Sequence, residues 1–205
     1  MVEHQGLQRP FTEVTPFYAL LEFEHNGPEV DDHIMAVVEH CMSEGWVIDA
    51  VLSQSVAQAK GLWRLREDIS ETLSRWTPYK NDISTTIAKV PQFLKEVDTI
   101  VARHYPDLEV VWYGHIGDGN LHLNILKPDD VSIEEFQVRC KTVSKAIFEA
   151  IESLGGSISA EHGVGLLKKE FLRYSRSEAE IALMRGIKAL FDPDNIMNPG
   201  KVFDS

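Results

Sequence analysis

Apolar residues along this chain recur with two different periods, and together they predict a protein built from alternating strands and helices. Spacings of three and four residues, closed by capping residues, predict helices over residues 30–41, 55–75, 91–101, 132–154 and 177–192. Short runs rich in β-branched and aromatic residues predict strands at residues 17–23, 46–52, 83–90, 108–113, 121–126 and 157–160. Both kinds of element run through the whole length, without an internal repeat.

The connection between two of these strands decides the fold class. Residues 108–113 and 121–126 are separated by only seven residues, whereas a parallel crossover needs about a dozen or more. The two strands must therefore be antiparallel if they are neighbours. The sequence predicts an α+β fold, in which a mainly antiparallel sheet carries its helices packed on one face.

The charge and composition of the chain indicate which classes of binding partner to expect. The 205 residues include 32 Asp and Glu against 20 Lys and Arg, a formal net charge of −12, so we expect neither nucleic acid nor an anionic membrane as partner. Residues 1–14 form a polar tail without an apolar run, so neither a signal peptide nor a transmembrane segment is expected. Cys41 and Cys140 are interpreted as buried thiols of a reducing compartment, the cytoplasm, or the mitochondrion in a eukaryote.

The densest group of chemically capable residues lies at residues 114–124. His115 follows one strand, and His122 projects from the next strand on the same side as Asn124. An antiparallel pair would bring the two imidazoles together, and with a carboxylate they could hold a divalent ion. The alternative is that both histidines are structural.

A second segment, at residues 159–165, offers the missing carboxylate. Glu161 could be a metal ligand and His162 a general base, although the pair could equally mark a strand-to-helix turn with Glu161 as an N-terminal charge. Arg66 and Lys80 could hold a carboxylate, or could be solvated charges.

Several well-known nucleotide and hydrolase motifs are missing. The sequence contains no Gly-x-Gly-x-x-Gly opening a helix, no phosphate-binding Gly-Lys-Ser/Thr, no Gly-x-Ser-x-Gly and no His-Glu-x-x-His. If a nucleotide-type cofactor is used, we expect its main binding fold to be supplied from outside these residues.

Three long motifs in order carry a family resemblance. GHIGDGNLHLNI, SAEHGVGLLKKEFL and LFDPDNIMNPGKVF, at residues 114–125, 159–172 and 190–203, resemble the C-terminal domain of FAD-linked oxidases. LWRLRE and PYKNDIS, at residues 62–67 and 78–84, fit the same pattern. The similarity is to the branch with D-lactate dehydrogenase, the glycolate oxidase flavin subunit and D-2-hydroxyglutarate dehydrogenase.

The resemblance implies a ferredoxin-like fold and a role for each matching residue. It implies metal ligands, for zinc or manganese, at His115, His122 and Glu161, and a general base at His162. It implies contacts to a substrate from Arg66, Ser70, Lys80 and Asn124. It implies that Asn198 and Lys201 lie near the flavin. Asn81 stands where the family often has an aromatic residue and Thr85 where it often has Leu, which suggests a difference at the distal end of the substrate.

The activity implied by the resemblance is the FAD-dependent oxidation of a 2-hydroxy acid to a 2-oxo acid. Residues 1–205 would then be a substrate- and metal-binding domain that needs a FAD-binding domain, in cis or in trans, and an electron acceptor. We expect this chain alone to be inactive and to expose an apolar docking surface, which a homodimer would be one way to cover. Two other hypotheses stay open: a non-catalytic module that binds a small acid and regulates a partner, and a metal-dependent hydrolase.

Overall fold

The computed structural model describes residues 1–204, and the chain divides into two compact units, Met1–Arg75 and Trp76–Ser205. The first unit contains four helices: α1 (Val2–Gln5), α2 (Glu29–Ser43), α3 (Val56–Glu67) and α4 (Ile69–Leu73). A 3₁₀ turn at Ser74–Trp76 follows α4. The single helix predicted over residues 55–75 is therefore interrupted at Asp68, which caps the C-terminus of α3 and precedes α4.

The second unit is built around a three-stranded sheet. Its strands are β1 (Tyr79–Ser84), β2 (Val110–His115) and β3 (Asn120–Ile125), and β3 lies between the other two and is antiparallel to both. Helix α5 (Val90–His104) connects β1 to β2, and helix α6 (Ile133–Ser153) follows β3. The α+β prediction, with an antiparallel sheet, is confirmed.

The edge of β1 explains why the fold is ferredoxin-like. Ser157, just after α6, forms an isolated antiparallel bridge with Ser84, at the end of β1. The strand predicted at residues 157–160 is reduced to this single bridge, which occupies the position of a fourth strand. It completes the β-α-β-β-α-β order of ferredoxin-like folds, with the fourth element beside β1.

The two faces of the sheet have different roles because side chains alternate along each strand. Ile83, Leu121, Leu123 and Ile125 are buried in a core that they share with apolar residues of α5 and α6. The opposite face bears the polar residues, among them His122. This division confirms the alternation predicted for β3.

Capping and turn chemistry fix the boundaries of several elements. Ser132 accepts a hydrogen bond from the Glu135 backbone N–H at the start of α6. Ser177 and Glu180 form a complete capping box at the start of α7 (Glu178–Phe191), as predicted from their spacing. A 3₁₀ segment, Lys169–Tyr174, precedes α7. A second 3₁₀ turn, Ile87–Lys89, replaces the end of the extended segment predicted at residues 83–90.

Two strand predictions in the first unit are wrong. Residues 17–23 and 46–52 form no strand, and apolar side chains such as Phe17 and Trp46 are exposed. A strand needs a hydrogen-bonded neighbour, and among residues 1–204 neither segment has one. None of the described helices combines the length and the apolar character needed to cross a membrane.

Candidate functional site

The polar face of the sheet places one residue from each strand in a row. The register pairs Asp82 of β1 with His122 of β3, and His122 with Tyr113 of β2. The His122 ring lies against the Tyr113 ring, with 4.9 Å between centroids, and is stacked on the His162 ring at 5.7 Å. His122 and Asp82 are both buried. A buried imidazole is therefore held between an aromatic ring, a carboxylate and a second imidazole.

One carboxylate oxygen organises the segment that follows the Ser84–Ser157 bridge. Asp82 Oδ2 accepts hydrogen bonds from three consecutive backbone N–H groups, those of Ala160 at 3.2 Å, Glu161 at 3.3 Å and His162 at 3.0 Å. It also accepts one from Ser159 Oγ at 3.1 Å. The backbone that carries Glu161 and His162 is thus attached directly to β1.

Lys168 attaches the other end of the same segment. Its ammonium donates hydrogen bonds to the backbone carbonyls of Asp82, at 2.8 Å, and Ile158, at 2.7 Å. It also lies 3.9 Å from Asp82 Oδ2. Lys168 and Asp82 together therefore fix residues 158–168 over the polar face.

The two charges in this network affect each other's ionisation. Burial opposes ionisation of Asp82, but the His162 backbone N–H and the Lys168 ammonium outweigh it and hold the pKa of Asp82 below its usual value. Burial lowers the pKa of Lys168, and the charge of Asp82 partly offsets this effect. Each group therefore stabilises the ionised form of the other.

Three of these side chains form a cluster that could hold a metal ion. Asp82, His122 and Glu161 each offer a ligand atom, and these atoms all lie within 4.8 Å of one another. His122 Nε2 and Glu161 Oε1 are 3.3 Å apart. Ligands at about 2.0–2.1 Å around a tetrahedral ion would be about 3.3 Å from each other, so this spacing fits a divalent cation between them.

The third predicted ligand, His115, lies at the exposed end of β2. Its register partner is Asn120, two residues from His122 on β3, so the two histidines are diagonal neighbours on one face of the sheet. Diagonal pairs are typically about 7–8 Å apart. The described cluster contains Asp82 in its place, and the assignment of His115 as a ligand stays a prediction.

His162 combines a fixed backbone with an accessible side chain. Its side chain is 63% exposed, its Nε2 is 3.6 Å from Glu161 Oε1, and its Nδ1 is 3.6 Å from Asp82 Oδ2. An imidazole that faces two carboxylates can pass a proton from a ligand to solvent. The arrangement is compatible with the predicted role as general base.

Lys80 and Asn124 extend the site along the strands. They are register partners on the same face as His122, with Lys80 exposed and Asn124 buried. Among the described residues, neither polar atom of the Asn124 amide has a hydrogen-bond partner, as expected for a group that meets a ligand. Asn81 alternates to the helix-covered face, opposite Leu123, and is buried.

The remaining predicted residues lie in two other regions. Arg66 is on α3 and Ser70 on α4, both in the first unit. Asn198 and Lys201 are in the C-terminal loop, where Lys201 Nζ donates a hydrogen bond to Asn198 Oδ1 at 2.9 Å. The next residue, Val202, donates its backbone N–H to the Gly165 carbonyl at 2.8 Å, which places this loop against the segment that bears His162.

Sequence reasoning missed Asp82 and Lys168 as members of this site. For Asp82 a signal existed, because the period of two places it on the same face as Lys80. For Lys168 there was none, since its position depends on how residues 158–168 fold back over β1.

Comparisons with known proteins agree with the predicted fold class. The family model described as "FAD linked oxidases, C-terminal domain" matches residues 1–202. The chain is 61% identical over 194 residues to the D-2-hydroxyglutarate dehydrogenase of Stutzerimonas stutzeri, covering 95% of this chain and 42% of that protein. It is 52% identical to the D-2-hydroxyglutarate dehydrogenase of Xanthomonas citri pv. viticola, covering 98% of this chain and 42% of that protein. It is 39% identical to the mitochondrial D-2-hydroxyglutarate dehydrogenase of Bos taurus, covering 97% of this chain and 36% of that protein. The chain thus spans less than half the length of these relatives.

Proposed function

Because this chain belongs to the family of FAD-linked oxidase C-terminal domains, we propose that it is the substrate- and metal-binding part of a FAD-dependent D-2-hydroxy-acid dehydrogenase. The relatives named above make D-2-hydroxyglutarate the first substrate to test. The observation that carries the proposal is the meeting of His122, Glu161 and His162 on the polar face of the sheet.

The donor set is the first support for a metal in the mechanism. His122 Nε2 and Glu161 Oε1 are a nitrogen and an oxygen donor at ligand spacing, a combination that suits zinc or manganese. We propose His115 as the third ligand, provided that its side chain turns from the end of β2 toward His122. A bound divalent cation would supply Lewis acidity to the hydroxyl group of a substrate.

The roles of the protein's own residues follow from their exposure and charge. His162, accessible and attached through its backbone, would take the hydroxyl proton of the substrate. Lys80 and Arg66 would bind carboxylate groups, with Ser70 as a further polar contact. The buried amide of Asn124 would gain the hydrogen-bond partner that it lacks among residues 1–204. A flavin held by the FAD-binding domain would supply the redox chemistry, together with an external electron acceptor.

A FAD-binding domain is the partner that this chemistry requires, and we propose that it belongs to the same polypeptide or to a separate chain. Helix α7 and the loop after it offer a surface for it: Leu183, Ile187, Leu190, Phe191, Ile196 and Met197 are all exposed. Asn198 and Lys201 continue this surface and would lie close to the flavin. Both cysteines are free thiols, as expected for the cytoplasmic location that we propose.

The experiment is a chimera that supplies a flavin domain to these residues. This chain replaces the matched 194 residues of the Stutzerimonas stutzeri relative, and dye-coupled oxidation of D-2-hydroxyglutarate, D-lactate and their L-isomers is measured. We expect turnover of a D-isomer that is lost on chelation and restored by zinc or manganese. Absence of turnover with every 2-hydroxy acid, in a folded and flavin-loaded chimera, would refute the function.

Variants of the chimera separate the proposed roles. His162→Ala should lower kcat by about 10²–10⁴-fold and leave KM nearly unchanged, because a general base acts only in the transition state. Arg66→Ala should raise KM, because it removes a contact already made with the bound substrate. The control is His104→Ala, at the end of α5, which should change neither constant. A His162→Ala variant with raised KM and normal kcat would contradict the base assignment.

A further inference from the structure

The network around Asp82 is unusual in how many groups one carboxylate holds. Four donors converge on its Oδ2, three of them consecutive backbone N–H groups at residues 160–162. Hydrogen bonds to an ionised acceptor are roughly twice as strong as neutral ones. The conformation of this backbone therefore depends on the charge of a side chain in another element, β1.

The second oxygen of the same carboxylate, Oδ1, faces the imidazole ring of His122. Asp82 Oδ1 is buried, lies 3.7 Å from His122 Nδ1, and has no hydrogen-bond partner among residues 1–204. The opposite ring nitrogen, Nε2, faces Glu161 Oε1 at 3.3 Å. At 3.7 Å the contact of Oδ1 is too long for a hydrogen bond, so Oδ1 acts on the Nδ1 side of the ring through its negative charge.

We propose that Asp82 is the positioning residue of this site. Its Oδ2 holds the backbone at residues 160–162 so that Glu161 and His162 face His122. Its Oδ1 places a negative charge 3.7 Å from the Nδ1 of His122, which favours the ring orientation in which Nε2 faces Glu161. Lys168 supports the arrangement by holding the backbone on both sides, at Asp82 and Ile158. Asp82 thus acts through other residues, and this inference rests on the proposed function for its metal-binding arm only.

Geometry favours this role over direct coordination by Asp82. Oδ2 already accepts four hydrogen bonds, and Oδ1 lies on the Nδ1 side of His122, whereas Glu161 lies on the Nε2 side. An Asp82 oxygen also lies within 4.8 Å of the ligand atoms of His122 and Glu161. The hydrogen bonds already accepted by Oδ2 favour the positioning role, and the spectrum of a bound ion separates it from coordination.

The test uses Asp82→Asn in the 205-residue chain and begins without metal. Amide hydrogen exchange, resolved by residue with NMR, should be at least tenfold faster at residues 160–162 than in the unmodified protein, because the charge that holds these amides is lost. Exchange in the β3 strand should be almost unchanged. Equal exchange rates at residues 160–162 in the two proteins would overturn the proposal.

A second arm measures metal binding with Co²⁺ as a visible probe. The dissociation constant should rise by about 10–100-fold in Asp82→Asn, as is typical when a residue behind a ligand is changed. At saturating Co²⁺ the absorption spectrum should keep its band shape, because the ligands are the same. A changed band shape together with unchanged amide exchange would show that Asp82 is a ligand and would overturn the positioning role.

Two further variants keep the result interpretable. Asp107→Asn makes the same chemical change at an exposed ion pair with Arg139, and should leave both readouts within twofold of the unmodified protein. If Asp82→Asn does not fold, Ser159→Ala decides, because it removes one donor to Oδ2, together with the contact of the same hydroxyl to the Gly163 carbonyl. It should accelerate exchange at residues 160–162 several-fold, and unchanged exchange would overturn the proposal. If the unmodified chain binds no Co²⁺, the metal role fails while the exchange arm still tests the positioning.

Discussion

Gly119, in the turn between β2 and β3, should tolerate no side chain. Its φ of +75° is unfavourable for other residues, and a Cβ atom there would lie 1.9 Å from the backbone carbonyl oxygen of Thr85. Ordinary contact begins at 3.4 Å, so the turn or the end of β1 would have to move by 3.4 − 1.9 = 1.5 Å. That movement would break the hydrogen bond from the Thr85 N–H to the Gly119 carbonyl.

The expected cost of Gly119→Ala follows from these two effects. The left-handed backbone costs roughly 1–2 kcal/mol for a residue with a Cβ, and the lost hydrogen bond about 0.5–1.5 kcal/mol. The free energy of opening of the second unit should therefore fall by about 1.5–3.5 kcal/mol. At about 1.4 kcal/mol per factor of ten, amide exchange in β3 should become roughly 10- to 300-fold faster.

Two other glycines of the same unit serve as matched controls. Gly155, after α6, has a φ of +67° but open space around its Cβ position, so Gly155→Ala should show the backbone cost alone. Gly117, in the same turn as Gly119, has open space and no positive φ, so Gly117→Ala should be nearly neutral. Exchange in β3 measured by mass spectrometry should rank Gly119→Ala above Gly155→Ala and Gly117→Ala last. Equal effects at Gly119 and Gly117 would refute the reasoning.

Three further predictions follow from burial and capping. Cys140 is fully buried and Cys41 only partly, so a thiol reagent at pH 8 should label one site in the folded protein, and Cys41→Ser should abolish it. Burial raises the pKa of Cys140 to about 11, so its contribution to stability is complete below about pH 8.5 and is lost as pH rises through about 11. The free energy of unfolding of Cys140→Ala, measured with urea, should therefore depend less steeply on pH in this range than that of the unmodified protein. An equal pH dependence in the two proteins would contradict this prediction. Ser177→Ala should destabilise α7 by about 1 kcal/mol in amide exchange, whereas Ser153→Ala, which removes a hydroxyl outside the N-cap, should have little effect.

The secondary structure of the second unit could be predicted well because its elements are marked by local sequence patterns. The alternation in β3 and the seven-residue separation from the preceding strand were enough to predict an antiparallel pair with His122 on the polar face. The capping residue Ser177 marked the start of α7 correctly. The resemblance to the C-terminal domain of FAD-linked oxidases is confirmed by the match over residues 1–202.

The failures have a common physical cause, which is dependence on contacts that are remote in sequence. Residues 17–23 have the composition of a strand, but a strand forms only where a neighbour supplies hydrogen bonds. Cys41 was expected to be buried and is only partly so, because the apolar pattern of α2 does not reveal what packs on it. Asp82 and residues 160–162 are about eighty positions apart, so no local pattern could predict their hydrogen bonds.

The alternation along β3 places two selective pressures on one six-residue strand. Leu121, Leu123 and Ile125 fill the core, and the residues between them, His122 and Asn124, face the site. A substitution can therefore alter the chemistry while leaving the packing intact, or the reverse. A one-residue insertion or deletion cannot change one face without the other, because it would move the leucines to the polar face and the histidine into the core at the same time. Substitutions in this strand are therefore easier to accommodate than changes in its length.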